Sequence, residues 1–467
     1  MFFQSSGRPF YILFVIASVV LSACSQSADE LQNIKTDRLP NGLEIVVITD
    51  TRAPIITHMI FYKAGAMDDP EGKSGIAHYF EHLMFKGTKT LAPGEFSEKI
   101  AMMGGSENAF TAYDYTAYFQ RISADKLTEV MKLEADRMSN LVFVESQALS
   151  ERDVVLEERA SRTDSSPPAL LGEKLRHVLH KPHPYARPII GWRHEIEKLN
   201  LEDAKNFYKR FYAPDNAILV VAGDTDMPEV KRLAAKYYGV IPPANKPKNQ
   251  LKKADSLSAP ETIYMQDVRT RQPVIQRIYR LPEWGRDNAK SFAALELLME
   301  ILSSGTTGRL YQSLVVDEKI SVGVGGWADT MRRGQGEAVV YISPSDITHI
   351  DDNIALLDSE IAKLKAEHIT QQELERAKTK ILADTLYARD SQFAQARIYG
   401  SLLTIGLMIE DVDRWIQNIE VVSIADIQKA ATLYLDASQS ITGILTPLLD
   451  SSNETEKGSE NTGEVKS

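Results

Sequence analysis

His78-Tyr79-Phe80-Glu81-His82 sets two imidazoles and a carboxylate within five residues of a segment that reads as a helix. Residues four apart on a helix lie one turn above each other, with Cβ atoms about 5–6 Å apart. His78 and His82 can therefore reach one metal ion at roughly 2.0–2.1 Å. Glu81 adjoins His82, so its carboxylate can lean toward the open side of the metal. There it can take the proton of a water that attacks a polarised carbonyl. With 9 His and 64 acidic residues among 467, chance yields this spacing on the order of 0.02 times. Two histidines alone still leave a catalytic zinc short of a third ligand. Without that ligand, they read as ordinary residues of an amphipathic helix.

A candidate third ligand lies in Glu151-Arg152-Asp153-Val154-Val155-Leu156-Glu157-Glu158, within a charged helical stretch expected over Ser146–Arg162. Glu151 and Glu158 are seven apart, two helical turns, and share a face. Glu158 can ligate the metal while Glu151 orients a ligand from behind. Taken singly, Glu157 or Glu158 would be a solvated helical carboxylate.

Together these segments resemble the inverted-zincin metallopeptidases of the pitrilysin, insulin-degrading-enzyme and mitochondrial-processing-peptidase family, whose signature is HxxEH. Leu39-Pro40-Asn41-Gly42-Leu43, Gly75-Ile76-Ala77 and Phe85-Lys86-Gly87-Thr88 resemble the family's first domain as well. The resemblance implies zinc held by His78, His82 and Glu158, Glu81 as general base and then proton donor, and Glu151 in support. Gly104-Gly105-Ser106-Glu107-Asn108-Ala109-Phe110-Thr111 resembles the edge strand on which the family's substrates add as an extra strand. Asn108 and Ala109 would then lie near the scissile bond. An ordinary strand pairing with Tyr115–Arg121 is compatible with that role. His183-Pro184-Tyr185 and Pro188-Ile189-Ile190-Gly191 also match a family stretch. Pro182 interrupts any helix from His177, and His177, His180 and His183 read as structural rather than as a second metal site.

Active relatives also use an Arg and a Tyr in an L-R-x-x-x-x-x-x-Y arrangement to hold the substrate carbonyl. Aligning Gly308-Arg309-Leu310-Tyr311 and the following helix puts Leu314 on that leucine, Val315 on the arginine and Val322 on the tyrosine. Valine donates no hydrogen bond. The resemblance therefore implies a zinc subunit whose sister subunit supplies the Arg/Tyr pair, with a homodimer as the rival arrangement. A non-catalytic peptidase-like scaffold or peptide-binding lipoprotein is the alternative function.

The chain is 43% hydrophobic and 25% charged, ordinary globular material with room for two or more domains. A formal charge of −11 without a sustained basic stretch argues against nucleic acid. Arg8 and the apolar run Phe10–Ala23 read as a signal peptide, too short for a comfortable membrane span. The ending Leu21-Ser22-Ala23-Cys24 resembles a bacterial lipoprotein cleavage site. Cys24 is the only cysteine and would be lipidated, the alternative being a plain signal peptide with an incidental cysteine. Ser25 after it suggests the outer membrane facing the periplasm, with the lipid anchor as the only membrane attachment.

The expected fold is α+β: two homologous domains, each an antiparallel-rich sheet packed with helices, together forming half of a peptidase chamber. The boundaries are a signal peptide over 1–23, a tether over 24–35, an N-terminal zinc domain over 36–243, a linker over 244–260, a C-terminal domain over 261–449 and a disordered acidic tail over 450–467. Strands are expected near Leu43–Thr49, Ile55–Tyr62, Ala217–Ala222, Thr262–Met265 and Val274–Arg280, with helices over Ala124–Asn140 and Asp287–Leu302. The strand-helix-strand order of the second half repeats the first faintly, without the metal motif.

Overall fold

A computed structural model of the chain describes residues 33–245, 253–255, 257, 259–366 and 369–448. The expected signal peptide, Cys24, most of the tether and the acidic tail lie outside the described residues.

The continuous apolar run Ala217–Gly223 forms β6, buried along its whole length, as a strand covered on both faces requires. It lies within a sheet of β1 (Ile34–Arg38), β2 (Glu44–Thr49), β3 (Ile55–Tyr62), β4 (Ser106–Thr111), β5 (Thr116–Ser123) and β6, in the order β1-β2-β6-β3-β5-β4. Among the described residues of this sheet, β2 and β6 form the one parallel pair. The second sheet contains β7 (Glu261–Asp267), β8 (Val274–Glu283), β9 (Ser321–Asp329), β10 (Gln335–Pro344) and β11 (Ser440–Pro447), in the order β7-β11-β8-β10-β9. Here too one pair is parallel, β7 with β11. Removing β1 from the first sheet leaves the second sheet's strand order and directions unchanged. The fold is α+β with two domains of one topology, and β4 and β9 are equivalent edges.

The start of the first sheet corrects the expected tether. Ile34 and Lys35 already pair with Ile48 and Val47. Strand β1 is mostly exposed, so it carries too little apolar alternation to read as a strand. The charged helix is likewise displaced. It spans Glu145–Arg159 and passes into a π-helical turn over Ala160–Asp164, where regular α-helix was expected through Arg162.

Each sheet buries one face against its own domain and the other against a helix from the opposite half. Alternation along the first sheet sends Ile45, Val47, Ile60, Leu219 and Val221 into the first domain's core. It sends Val46, Ile48, Met59, Phe61, Ile218 and Val220 against Ala396 and Tyr399 of the helix Gln392–Thr404. Reciprocally, Ile278, Val339, Ile441 and Leu445 pack on Leu171, Leu175 and Leu179 of the helix Pro167–His180. This exchange holds the halves around a cavity of about 1860 Å³, lined by His78, Glu81, Glu158 and β4 on one side and by Glu296, Trp327 and Lys380 on the other.

Candidate metal centre

The HxxEH run lies on the helix Ile76–Leu83, and its five side chains point to four different places. Phe80 is buried against Phe207, Tyr208 and Tyr212. The Tyr79 hydroxyl donates to Ala148 O at 2.7 Å, tying this helix to Glu145–Arg159. His78 and His82 turn toward Glu158, and Glu81 toward β4.

The helix start is fixed by backbone geometry. Gly75 precedes it at φ +86°, facing Gly191 at φ +93°. A Cβ on Gly75 would lie 2.5 Å from Ile190 O, and one on Gly191 2.5 Å from Ser74 O. Only glycine allows this approach without strain. The Asp69 carboxylate accepts from Gly75 N at 2.7 Å and Ala77 N at 3.1 Å. Burial pushes Asp69 up to about 8, against the pull of Arg187 and those two donors.

His78 Nε2 lies 3.6 Å and His82 Nε2 3.4 Å from Glu158 Oε2, and one ligand atom from each residue lies within 4.8 Å of the others. Donors about 2.0–2.1 Å from one tetrahedral zinc stand about 3.3 Å apart. Two imidazole nitrogens and a carboxylate oxygen at these separations fit zinc. Burial, followed by the neighbouring His82 and Arg162, lowers His78 to about 3. Its ring is therefore neutral at pH 7, with a lone pair free for a metal. Glu151 Oε2 faces His82 Nδ1 at 3.3 Å, and an Nδ1–H donated there leaves Nε2 as the ligand atom.

Sequence reasoning missed three side chains that hold these groups in place. The Lys86 ammonium pairs with Glu151 Oε1. Arg162, from the π-helical turn, reaches Glu158 Oε1 at 2.5 Å and leaves Oε2 facing the histidines. Thr111 Oγ1 donates to Glu81 Oε2 at 2.5 Å. Glu81 is pushed upward, first by burial and also by the Glu158 charge, against the Thr111 bond and His82. Thr111 had a local signal, because period-two alternation puts it on the same strand face as Ala109. Lys86 and Arg162 lie four residues beyond His82 and Glu158, one turn along.

Asn108 and Ala109 both line the cavity on edge strand β4. Ala109 packs against the first domain's core, and its N–H donates to Asn108 Oδ1 at 2.8 Å. Val315 and Val322 are not among the cavity-lining residues, and Val322 is exposed. Arg309 makes a two-pronged ion pair with Glu373 at 2.7 and 2.9 Å. His180 is buried against Glu337, His183 accepts from Tyr185 N, and His177 faces Ala186 O. The metal-capable cluster found among the described residues comprises His78, His82 and Glu158.

This site lies within the match to the family described as Insulinase (Peptidase family M16), over residues 44–192, and the Peptidase M16 inactive domain follows over residues 198–381. The chain is 30% identical to the zinc protease PqqE of Helicobacter pylori, over 92% of this chain and 96% of that protein. It is 26% identical to a protein of Schizosaccharomyces pombe named probable mitochondrial-processing peptidase subunit beta, over 90% of this chain and 93% of the other. The crystal structure of a protease from Helicobacter pylori superposes with a TM-score of 0.84 at 28% identity, covering 89% of this chain and 99% of that one. The chain belongs to peptidase family M16. The end of the first match precedes β6, which nonetheless completes the first sheet between β2 and β3.

Proposed function

We propose that this chain is a zinc metalloendopeptidase that hydrolyses unstructured peptides or protein segments in the bacterial envelope. It acts as the catalytic subunit of a heterodimer whose sister subunit supplies an Arg/Tyr pair. The observation that carries this reading is the convergence of His78, His82 and Glu158 beside Glu81, in a cavity bordered by an open strand edge.

Bound zinc would polarise the peptide carbonyl and acidify a water. His78, His82 and Glu158 would hold the ion, and Glu151 would fix the tautomer of His82. Glu81 accepts the proton of the attacking water as the new C–O bond forms, then delivers it to the amine nitrogen as the C–N bond breaks. An extended substrate adds to β4 through backbone groups, taking over the Ala109 N–H from Asn108. Selection by backbone suits unfolded chains.

The partner reading rests on Val315 and Val322, which offer no donors at the family's Arg and Tyr positions. The envelope reading rests on the sequence around Cys24, with lipidation there and the outer membrane facing the periplasm as the proposed location.

The test is hydrolysis of a quenched, unstructured peptide by the zinc-loaded form beginning at Ser25, alone and with co-purifying periplasmic proteins restored. Hydrolysis that needs a partner and is lost in Glu81→Gln is expected. Full activity of the chain alone would exclude the split site. Hydrolysis surviving in Glu81→Gln would remove Glu81 as base.

A further inference from the structure

Strand β4 carries two kinds of information toward the metal centre: its backbone edge borders the cavity, and its side chains touch the helix of the HxxEH run. Alternation sets Glu107, Ala109 and Thr111 on one face. Ala109 packs into the first core, and Thr111, the last residue of the strand, donates to Glu81 Oε2 at 2.5 Å. That length falls in the range of a charge-assisted hydroxyl–carboxylate bond. Glu81 Oε1 takes no hydrogen bond among the described residues, which leaves it as the oxygen free to accept a proton.

We infer that Thr111 is a positioning residue that ties the general base to the strand on which substrate is seated. The inference rests on the peptidase reading above and adds a residue to it. A carboxylate with one oxygen held keeps its rotamer both before and after the other oxygen takes a proton, because Oε2 accepts from Thr111 in either state. Substrate paired along β4 and the base attached to the end of β4 then share one frame. Misplacing a reacting group by about 1 Å costs roughly 100-fold, so one hydroxyl can set the rate without touching the metal ligands.

Thr111→Val removes the donor while retaining a β-branched side chain of similar shape, and Thr111→Ser restores the hydroxyl. In the holoenzyme assay, Thr111→Val should lower kcat by about 10- to 100-fold. KM should change by less than about twofold and zinc content should be unchanged, while Thr111→Ser should return to within about threefold of the parent. A loss carried by KM or by zinc, or a Ser variant as impaired as Val, would overturn the inference. Crystal structures of the zinc-free parent and both variants provide a readout independent of hydrolysis. The Glu81 carboxylate should stay on residue 111 in the parent and in Thr111→Ser, and leave that position in Thr111→Val. An unmoved Glu81 in Thr111→Val would overturn the inference, whereas a well-held Glu81 in a parent without hydrolysis would instead count against the peptidase reading.

Discussion

Glu151 shows how much of the candidate metal centre depends on groups outside the cluster of His78, His82 and Glu158. One oxygen faces His82 Nδ1 and the other takes the Lys86 ammonium, so the carboxylate is held at both ends and the imidazole is held by it. Removing such an outer partner weakens metal binding by about 10–100-fold. Glu151→Ala should therefore bind zinc more weakly by about that factor in chelator competition while remaining folded. Unchanged affinity would reduce Glu151 to a helix-surface charge. The pairing of His78 with His82 was legible from spacing alone, since four residues make one turn. Glu158 was a candidate from the helix face it shares with Glu151, but the resemblance singled it out as the ligand, because no local rule pairs a carboxylate with a histidine 76 residues earlier. The attachments of Lys86, Thr111 and Arg162 depend on how the two helices and β4 meet, which residue type alone does not state.

At the scale of elements, the close crossing of the helix Gln392–Thr404 over the first sheet depends on Gly400. A Cβ there would lie 2.0 Å from the Phe61 ring. In a solvent-facing helix, alanine in place of glycine stabilises by about 1 kcal/mol. Here overpacking opposes that gain and costs about 1–3 kcal/mol. Gly400→Ala should lower the melting temperature, and a rise would show that the crossing relaxes freely. The strands with strong apolar runs, such as β6, were readable because burial on both faces demands such runs. Strand β1 was not readable, since an edge strand open to solvent can be built from Lys35, Thr36 and Asp37. The duplication is plain in topology and faint in sequence for a related reason: two sheets can share an order while requiring only apolar side chains, not the same ones.

For the whole molecule, the interlock of the halves includes buried charge as well as exchanged helices. Glu337 on β10 meets Arg176 Nε at 2.9 Å and His180 Nε2 at 3.3 Å, both from the first half, with Arg332 Nη2 at 3.5 Å. Burial pushes the Glu337 carboxyl up, but the His180 hydrogen bond and the Arg332 and Arg176 charges outweigh it and hold the group well below the usual carboxylate range. A carboxyl depressed in the folded state stabilises above its unfolded value, near 4.5, and loses that contribution as pH falls toward the folded value. The melting temperature should therefore decline below about pH 4.5. Glu337→Gln should be less stable near neutrality by about 3–5 kcal/mol, since it strands buried cations, and should show a shallower acid decline. Parallel acid limbs for the two proteins would show that Glu337 carries none of the dependence.

The most direct test of the central claim, a zinc site of three protein ligands beside an unliganded base, is a calorimetric zinc titration of the metal-stripped chain and its single-site variants. One zinc per chain is expected for the parent and for Glu81→Gln, with binding at least about 100-fold weaker in His78→Ala, His82→Ala and Glu158→Ala. Undiminished binding in any of those three, or loss of the metal in Glu81→Gln, would contradict the assignment.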